Sequence, residues 1–273
     1  MKQTFVPAAI SILIFFTACN GSGTDKPGDK DDSVAALATK VINYSITAEY
    51  PHDTSAFTEG LQIYKGKLYE GTGMENESTL RISDIKTGRV EKKHFYTDPK
   101  IFGEGIQVFK GKIYQLTWKN HIVFVYDENN IDQPVKTLTW PYEGWGMTNN
   151  GTDLIMSDGS ANLYYVNPED FKVKTTIVVT DNSGPVSQIN ELEFIDGYIL
   201  ANVWGTNTII KIDPSSGHVL GKMDLSGLKD KYFPGQVVPD RTDVLNGIAY
   251  DSSTKKIYVT GKRWPKMFEI RME

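Results

Sequence analysis

The chain has 273 residues, of which 40% are hydrophobic and 23% are charged, and its formal net charge is −5. This composition is typical of a globular protein, and a net negative charge without a basic stripe argues against a nucleic-acid partner. The sequence contains one cysteine, Cys19, so no disulfide can form within one molecule. The fold must therefore be held together by packing.

The N-terminus has the pattern of an export signal. Lys2 precedes an apolar run over residues 5–16, which is too short to span a bilayer, and small residues then lead to Cys19. A cysteine at this place is typical of a bacterial lipoprotein, in which it becomes the lipidated N-terminus; the alternative is an ordinary secretory signal. We predict a lipoprotein-type signal over residues 1–19 and a membrane-anchored bacterial protein, either periplasmic or on the cell surface.

The segment after the signal indicates a tether. Residues 20–36 are rich in Gly, Ser, Asp and Lys, and such a composition cannot form a hydrophobic core. We therefore predict that residues 37–273 form one domain. We expect this domain to be a monomer whose one link to the membrane is the lipid anchor.

Five segments of this domain share one pattern. Residues 59–69 read Glu-Gly-Leu-Gln-Ile-Tyr-Lys-Gly-Lys-Leu-Tyr, and residues 104–114 read Glu-Gly-Ile-Gln-Val-Phe-Lys-Gly-Lys-Ile-Tyr. Alternation of period two around Lys-Gly-Lys indicates a hairpin. Copies that start 41 to 56 residues apart, each with about four short strands, are typical of propeller blades. The copies begin at Glu59, Glu104, Trp145, Asn190 and Asn246.

The fifth copy lacks an outermost strand, because its third strand, predicted over residues 266–271, is its last. The β-rich residues 41–50 precede the first copy and belong to no repeat, so they can supply that strand and cover the exposed edge. We predict an all-β fold, a five-bladed β-propeller closed by an N-terminal strand.

The positions at which the copies differ indicate a pocket. The innermost strands of a propeller begin at its central channel, so equivalent positions converge there. The five starting positions do not all carry one residue type, as a purely structural position would tend to. Phe57 and Phe102 lie two residues before the first two starts. A second ring lies fourteen residues after each start, or sixteen in the fifth copy, and consists of Gly73, Trp118, Gly159, Trp204 and Lys262.

Aromatic side chains with a few polar groups are typical of a site for a small, partly apolar ligand with a charged end. The alternative is that Trp118, Trp145 and Trp204 pack in the core or between blades.

Eight short motifs point to a known family. They are Phe-Thr-Glu-Gly-Leu (57–61), Phe-Gly-Glu-Gly (102–105), Leu-Thr-Trp (116–118), Glu-Gly-Trp-Gly (143–146), Ile-Asn-Glu-Leu-Glu (189–193), Ala-Asn-Val-Trp (201–204), Val-Leu-Asn-Gly-Ile-Ala (244–249) and Thr-Gly-Lys-Arg-Trp-Pro (260–265). They resemble the plant and bacterial type (type I) of glutaminyl-peptide cyclotransferase, from about residue 50 to the C-terminus. The resemblance implies a five-bladed propeller that converts the N-terminal glutamine of peptides or proteins to pyroglutamate and releases ammonia.

The resemblance also implies roles for single residues. Glu104 corresponds to the catalytic glutamate, and Asn190 and Lys262 to polar groups that contact the substrate. Glu59 stands where plant members have glutamine, and it would bind the substrate ammonium or raise the pKa of Glu104. The expected aromatic substrate-binding residues are Phe57, Phe102, Trp118, Trp145 and Trp204.

Structural roles stay open for the polar groups. Glu104 could pair with Lys262 as a plain salt bridge, Asn190 could cap a loop, and Glu59 could order the start of the first blade. A cell-surface propeller that binds a peptide or sugar without turning it over is the alternative function, because propellers serve as binders and as enzymes.

No cofactor is expected, and we predict a metal-independent enzyme, unlike the zinc-dependent animal type. The histidines have no partner at ligand spacing, and no calcium loop is recognisable, although a structural calcium ion accompanies some plant relatives. His52, next to Asp53, is expected to fix the loop before the first blade. The four histidines are His52, His94, His121 and His218.

Overall fold

A computed structural model describes residues 39–234 and 244–273. Within these ranges the chain is nearly all β and forms five sheets of four or five strands around one axis, which confirms the predicted five-bladed propeller. The signal over residues 1–19 with Cys19, and the tether over residues 20–36, lie outside the described residues and stay predictions.

Two strands precede the first blade, and the first three blades then follow as four consecutive antiparallel strands each. The N-terminal strands are β1 (Lys40–Val41) and β2 (Tyr44–Pro51). Blade one is β3 (Thr58–Tyr64), β4 (Lys67–Thr72), β5 (Thr79–Ser83) and β6 (Val90–Phe95). Blade two is β7 (Gly103–Phe109), β8 (Lys112–Thr117), β9 (Ile122–Asp127) and β10 (Lys136–Thr139). Blade three is β11 (Met147–Asn149), β12 (Leu154–Ser157), β13 (Asn162–Val166) and β14 (Val173–Val178).

The last two blades carry the irregular elements. A short hairpin of β15 (Thr180–Asp181) and β16 (Gly184–Pro185) precedes blade four. Blade four is β17 (Ile189–Ile195), β18 (Tyr198–Val203), β19 (Thr208–Ile212) and β20 (Val219–Asp224). A helix, α1 (Leu228–Tyr232), follows it, and blade five is β21 (Leu245–Asp251), β22 (Lys256–Gly261) and β23 (Lys266–Met272). No helix in the described ranges is long and apolar enough to cross a membrane.

The N-terminal segment adds a strand to two blades. β2 pairs antiparallel with β23 and forms the outer strand of blade five. The sequence predicted one strand over residues 41–50, but β1 is separate and pairs in parallel with β20 of blade four. Ile42 lies between the two strands and is buried in the core shared by blades four and five, so its burial accounts for the break.

The first strands of the five blades surround the axis, and each contacts the first strand of the next blade. A glycine directly after the starting residue permits this approach in blades one, two and three. A Cβ at Gly105 would overlap the carbonyl oxygen of Trp145, and one at Gly146 would overlap the carbonyl oxygen of Asn190. The neighbouring backbone, rather than a turn, therefore requires glycine at these two positions.

Blade four has Glu191 where the other blades have glycine. Its carboxylate accepts hydrogen bonds from the backbone N–H of Leu61, at 3.1 Å, and of Ile248, at 2.8 Å. Blade four is thereby tied to blades one and five at the axis. Burial and the neighbouring Glu193 carboxyl hold the pKa of Glu191 well above its usual range.

Glu193, two residues further along β17, makes a similar link. It accepts a hydrogen bond of 2.8 Å from the backbone N–H of Tyr250, and burial raises the pKa of Glu193 to about 8. At neutral pH this carboxyl group is therefore largely protonated.

Replacing Gly105 with alanine should lower the free energy of unfolding by about 3 kcal/mol, because the backbone of blade three must move away. Gly111 is a matched control, because its φ is +75° but no atom lies within 4 Å of the place that a Cβ would occupy; Gly111→Ala should cost about 1 kcal/mol. Urea denaturation measures both variants. Equal losses would show that the approach at the axis is not the constraint.

Stability should fall as the pH rises toward 9, in part through Glu193. The carboxyl group titrates near 4.5 in the unfolded chain and near 8 in the folded protein, so folding retains a proton between these values. The resulting stabilisation is complete below pH 4.5 and is lost as the pH rises through 8. We expect Glu193→Gln to remove about 3 kcal/mol of the decrease between pH 5 and 9. Unfolding curves that keep the wild-type pH dependence in this variant would contradict the assignment.

Candidate active site

A cavity of about 460 Å³ opens on the central axis at the end where the innermost strands begin. All the side chains that the sequence assigned to a site line it, and Met74 and Gln188 join them. The nine predicted residues are Phe57, Glu59, Phe102, Glu104, Trp118, Trp145, Asn190, Trp204 and Lys262.

The tryptophans divide into two classes. Trp140 and Trp264 are buried in the cores between blades, with 2% and 0% of their surface exposed. Trp118 and Trp145 are partly exposed in the cavity, and Trp204 is 44% exposed at its mouth. The packing alternative thus applies to the two tryptophans outside the predicted site and not to the three within it.

Five aromatic side chains, here called the aromatic wall, form two packed groups. In the first, the ring centroids of Phe57 and Phe102 are 6.3 Å apart, and those of Phe102 and Trp118 are 5.5 Å apart. In the second, Trp145 and Trp204 meet edge to face at 5.9 Å. Side chains from blades one to four therefore enclose one space.

The glycines of the second ring make room for these rings. A Cβ at Gly73 would overlap the ring of Phe102, and one at Gly159 would lie 2.5 Å from the indole of Trp145. Gly73 faces the phenylalanine that precedes the next repeat, and Gly159 faces the tryptophan that starts its own repeat. The alternation of glycine and tryptophan in the second ring is therefore a packing requirement of the cavity.

The floor of the cavity carries a buried ion pair. Lys262 Nζ donates a hydrogen bond of 2.6 Å to Glu59 Oε1, and the two residues are 5% and 2% exposed. The Lys262 ammonium also lies 4.5 Å from the centre of the Phe57 ring. Asn246 Nδ2 donates to Glu59 Oε2 at 3.4 Å. Lys262 thus pairs with Glu59, not with Glu104 as the structural alternative supposed.

Glu104 is buried beside this pair. Burial, the Glu59 carboxylate and a hydrogen bond with Glu59 raise the pKa of Glu104 well above its usual range, against the opposing effect of Lys262. Two carboxyl groups with one cation cannot both ionise readily in a buried site. Because Glu59 holds the lysine, Glu104 is the carboxyl group whose pKa is raised.

Asn190 supplies an acceptor. Its side-chain oxygen Oδ1 is buried and has no hydrogen-bond partner among the described residues, whereas its backbone oxygen accepts from Ser157 Oγ at 2.8 Å. This side-chain oxygen therefore caps no loop in the described part of the chain. An unpaired buried acceptor in a cavity is available to an N–H group of a ligand.

Met74 and Gln188 were missed by the sequence analysis. Both line the mouth with backbone in the left-handed region, at φ of 81° and 65°. Met74 follows Gly73 of the second ring. Gln188 lies two residues before the start of its repeat, as Phe57 and Phe102 do, so extending that comparison to the fourth copy would have found it.

His52 lies outside the cavity lining and holds a loop, as its sequence position indicated. Its Nδ1 is 2.8 Å from the backbone oxygen of Trp264, and its Nε2 is 3.0 Å from Glu70 Oε1. Trp264 lies two residues after Lys262. The imidazole therefore links the loop that carries the lysine to β4 of blade one.

Removing one partner of the buried ion pair should lower the free energy of unfolding more than removing both partners. Lys262→Met leaves the Glu59 charge uncompensated and should lower the free energy of unfolding by about 3–5 kcal/mol. Glu59→Gln combined with Lys262→Met should recover much of this loss. Urea denaturation of both single variants and the double variant tests the coupling. Losses that simply add would contradict a direct pair.

Comparisons with known proteins agree with the motifs. A model of the family described as glutamine cyclotransferase matches residues 18–272. A glutaminyl-peptide cyclotransferase of Arabidopsis thaliana is 34% identical over 277 residues, which cover 98% of this chain and 82% of that protein. The crystal structure of Myxococcus xanthus glutaminyl cyclase matches with a TM-score of 0.78 and 34% identity, covering 86% of this chain and 98% of the other. The resemblance is thereby confirmed, and the chain belongs to the glutamine cyclotransferase family.

Proposed function

We propose that this protein cyclises the N-terminal glutamine of peptides or proteins to pyroglutamate and releases ammonia, without a metal ion. Family membership supports the proposal. The structural observation that carries it is the burial of Glu104 beside the Glu59–Lys262 pair, on the floor of an aromatic cavity, where the pKa of Glu104 is raised well above its usual range.

The shape and charge of the cavity suit an N-terminal glutamine. Its α-ammonium and side-chain amide are polar, and its methylene groups are apolar. The amino end binds at the floor, where Glu59 and Asn190 Oδ1 accept N–H groups, and the methylene groups pack on the aromatic wall. The peptide then continues through the open mouth, because the glutamine carboxyl group is the one that is linked to the next residue.

The reaction needs a proton to be moved between two nitrogen atoms. The α-ammonium first loses a proton to the solvent, which requires little driving force because it titrates near pH 8. The amine nitrogen then attacks the side-chain amide carbon, and a tetrahedral intermediate forms. The C–N bond to the leaving nitrogen breaks only after that nitrogen gains a proton.

Glu104 is the group placed to make this transfer. Its protonated carboxyl gives a proton to the departing nitrogen, which leaves as ammonia. The resulting carboxylate takes a proton from the attacking nitrogen, which becomes the ring N–H. Glu104 ends in its starting state, so one carboxyl group serves as acid and then as base.

Lys262 and the aromatic wall assist the reaction without exchanging a proton or forming a covalent bond. The ammonium of Lys262 keeps Glu59 ionised and can donate to the oxygen that becomes negative, a contribution of about 2.7–4 kcal/mol for a well-placed donor. The wall holds the glutamine side chain close to its own amine. Such orientation lowers the barrier of an intramolecular ring closure.

The alternative function, a binding propeller, is less well supported. A binder needs the aromatic wall and an acceptor for the ammonium. It has no use for a neutral carboxylic acid held beside an ionised one, because two carboxyl groups sharing a buried site destabilise the fold. The pairing of Glu104 with Glu59 therefore favours turnover.

The first test is ammonia release from a Gln-initiated dipeptide by the purified protein, with EDTA present. Glu104→Gln removes the transferable proton at constant shape and should lower kcat by about 10²–10⁴-fold while KM changes little. Glu91→Gln, which removes a surface carboxylate paired with Lys67, is the matched control and should behave as wild type.

Release that EDTA abolishes would overturn metal independence. Binding of several Gln-initiated peptides without any ammonia release would favour the binding propeller. A Glu59→Gln loss as large as that of Glu104→Gln would show that the two carboxyl groups act as a coupled pair.

A further inference from the structure

Glu143 occupies a position in the third repeat that carries an aromatic ring in the first two. It lies two residues before the start at Trp145, as Phe57 and Phe102 lie before Glu59 and Glu104. The wall therefore lacks a ring at this place in blade three. A carboxylate that is 36% exposed stands there instead.

That carboxylate binds two members of the aromatic wall. One oxygen, Glu143 Oε2, accepts hydrogen bonds from the indole Nε1 of Trp118, at 2.7 Å, and of Trp145, at 3.1 Å. The other oxygen lies 3.6 Å from Lys119 Nζ, and this ammonium lies 4.0 Å from the centre of the Trp118 ring. Hydrogen bonds to a charged acceptor are among the stronger ones in proteins.

The two indoles belong to different halves of the wall. Trp118 packs on Phe102 in one group, and Trp145 packs on Trp204 in the other. The ring contacts within the described residues run inside each group and do not join them. Glu143 therefore links the two halves through a single oxygen atom.

We propose that Glu143 is a positioning residue, which fixes Trp118 and Trp145 at the separation that a glutamine side chain needs. The inference rests on the proposed function for its consequence in catalysis. Glu143 transfers no proton and does not line the cavity. It acts through the two indoles that do, and its charge makes a small further contribution to the raised pKa of Glu104.

The structural consequence follows from the indole N–H groups. Without the carboxylate each loses its acceptor, and an unsatisfied, partly buried donor turns its ring toward another partner or toward water. The distance between the two halves of the wall is then no longer set. A substrate held between them binds more weakly, and its amine meets the amide carbon less often.

Two substitutions separate the hydrogen bonds from the volume of the side chain. Glu143→Leu keeps the approximate volume and removes both acceptors, whereas Glu143→Gln keeps one oxygen that can accept from the indoles. For a Gln-initiated dipeptide, Glu143→Leu should raise KM about tenfold and lower kcat/KM by about tenfold or more. Glu143→Gln should stay within about threefold of wild type. Near-UV circular dichroism without substrate should change in Glu143→Leu and not in Glu143→Gln.

Glu91→Leu is the control, because it removes a carboxylate that pairs with Lys67 at 2.9 Å, outside the cavity lining, and that receives no indole hydrogen bond among the described residues. It should leave kcat/KM and the near-UV spectrum unchanged. An equal loss in Glu91→Leu would overturn the proposal in favour of a general charge effect. Wild-type kinetics in Glu143→Leu, or equal damage in the leucine and glutamine variants, would also overturn it.

Failure of the proposed function gives a different result. The wild-type protein would then release no ammonia from any Gln-initiated peptide. The near-UV spectra would still test the link: a change confined to Glu143→Leu supports a carboxylate that orients the indoles, and identical spectra of all variants exclude it.

Discussion

The close approach of five innermost strands at one axis is the constraint on which the structure depends. At Gly105 and Gly146 the backbone of the next blade occupies the volume that a Cβ would need. Side chains immediately before these glycines consequently point to a common space, and the cavity is the result. Fold and site are thus not separate features of this protein, because the packing that brings the blades together also brings the cavity residues together.

The polar floor of the cavity contains two buried carboxyl groups, Glu59 and Glu104, that have different partners. Glu59 has the Lys262 ammonium 2.6 Å away, whereas Glu104 lies in the same low-dielectric surroundings without a cation of its own. Burial and the Glu59 carboxylate therefore raise the pKa of Glu104. Glu191 and Glu193 accept hydrogen bonds from backbone N–H groups rather than from a cation. Burial raises the pKa of both carboxyl groups. The axis accordingly carries several carboxyl groups without a correspondingly large negative charge.

The aromatic wall shows when equivalent positions in the repeats predict cavity residues and when they do not. Phe57 and Phe102 were recognised because their repeats match closely. Gln188 and Glu143 occupy the same position in diverged repeats and were not recognised, since their side chains share no chemistry with phenylalanine. The position lines the cavity in blades one, two and four and lies behind two of the cavity's indoles in blade three. In blade three a carboxylate orders two rings instead of adding a third.

The repeat period and the strand pattern were enough to determine the blade number. Together with the family motifs, the variable positions picked out nine residues that line one cavity, because rotational symmetry converts equal spacing into spatial proximity. The separate strand β1, the lining by Met74 and Gln188, and the pairing of Lys262 with Glu59 rather than Glu104 could not be obtained in this way. These features depend on distances of a few ångströms between blades that are remote in sequence. Only the packing of the tertiary structure decides which of several neighbouring charges meet, and therefore which carboxyl group keeps its proton.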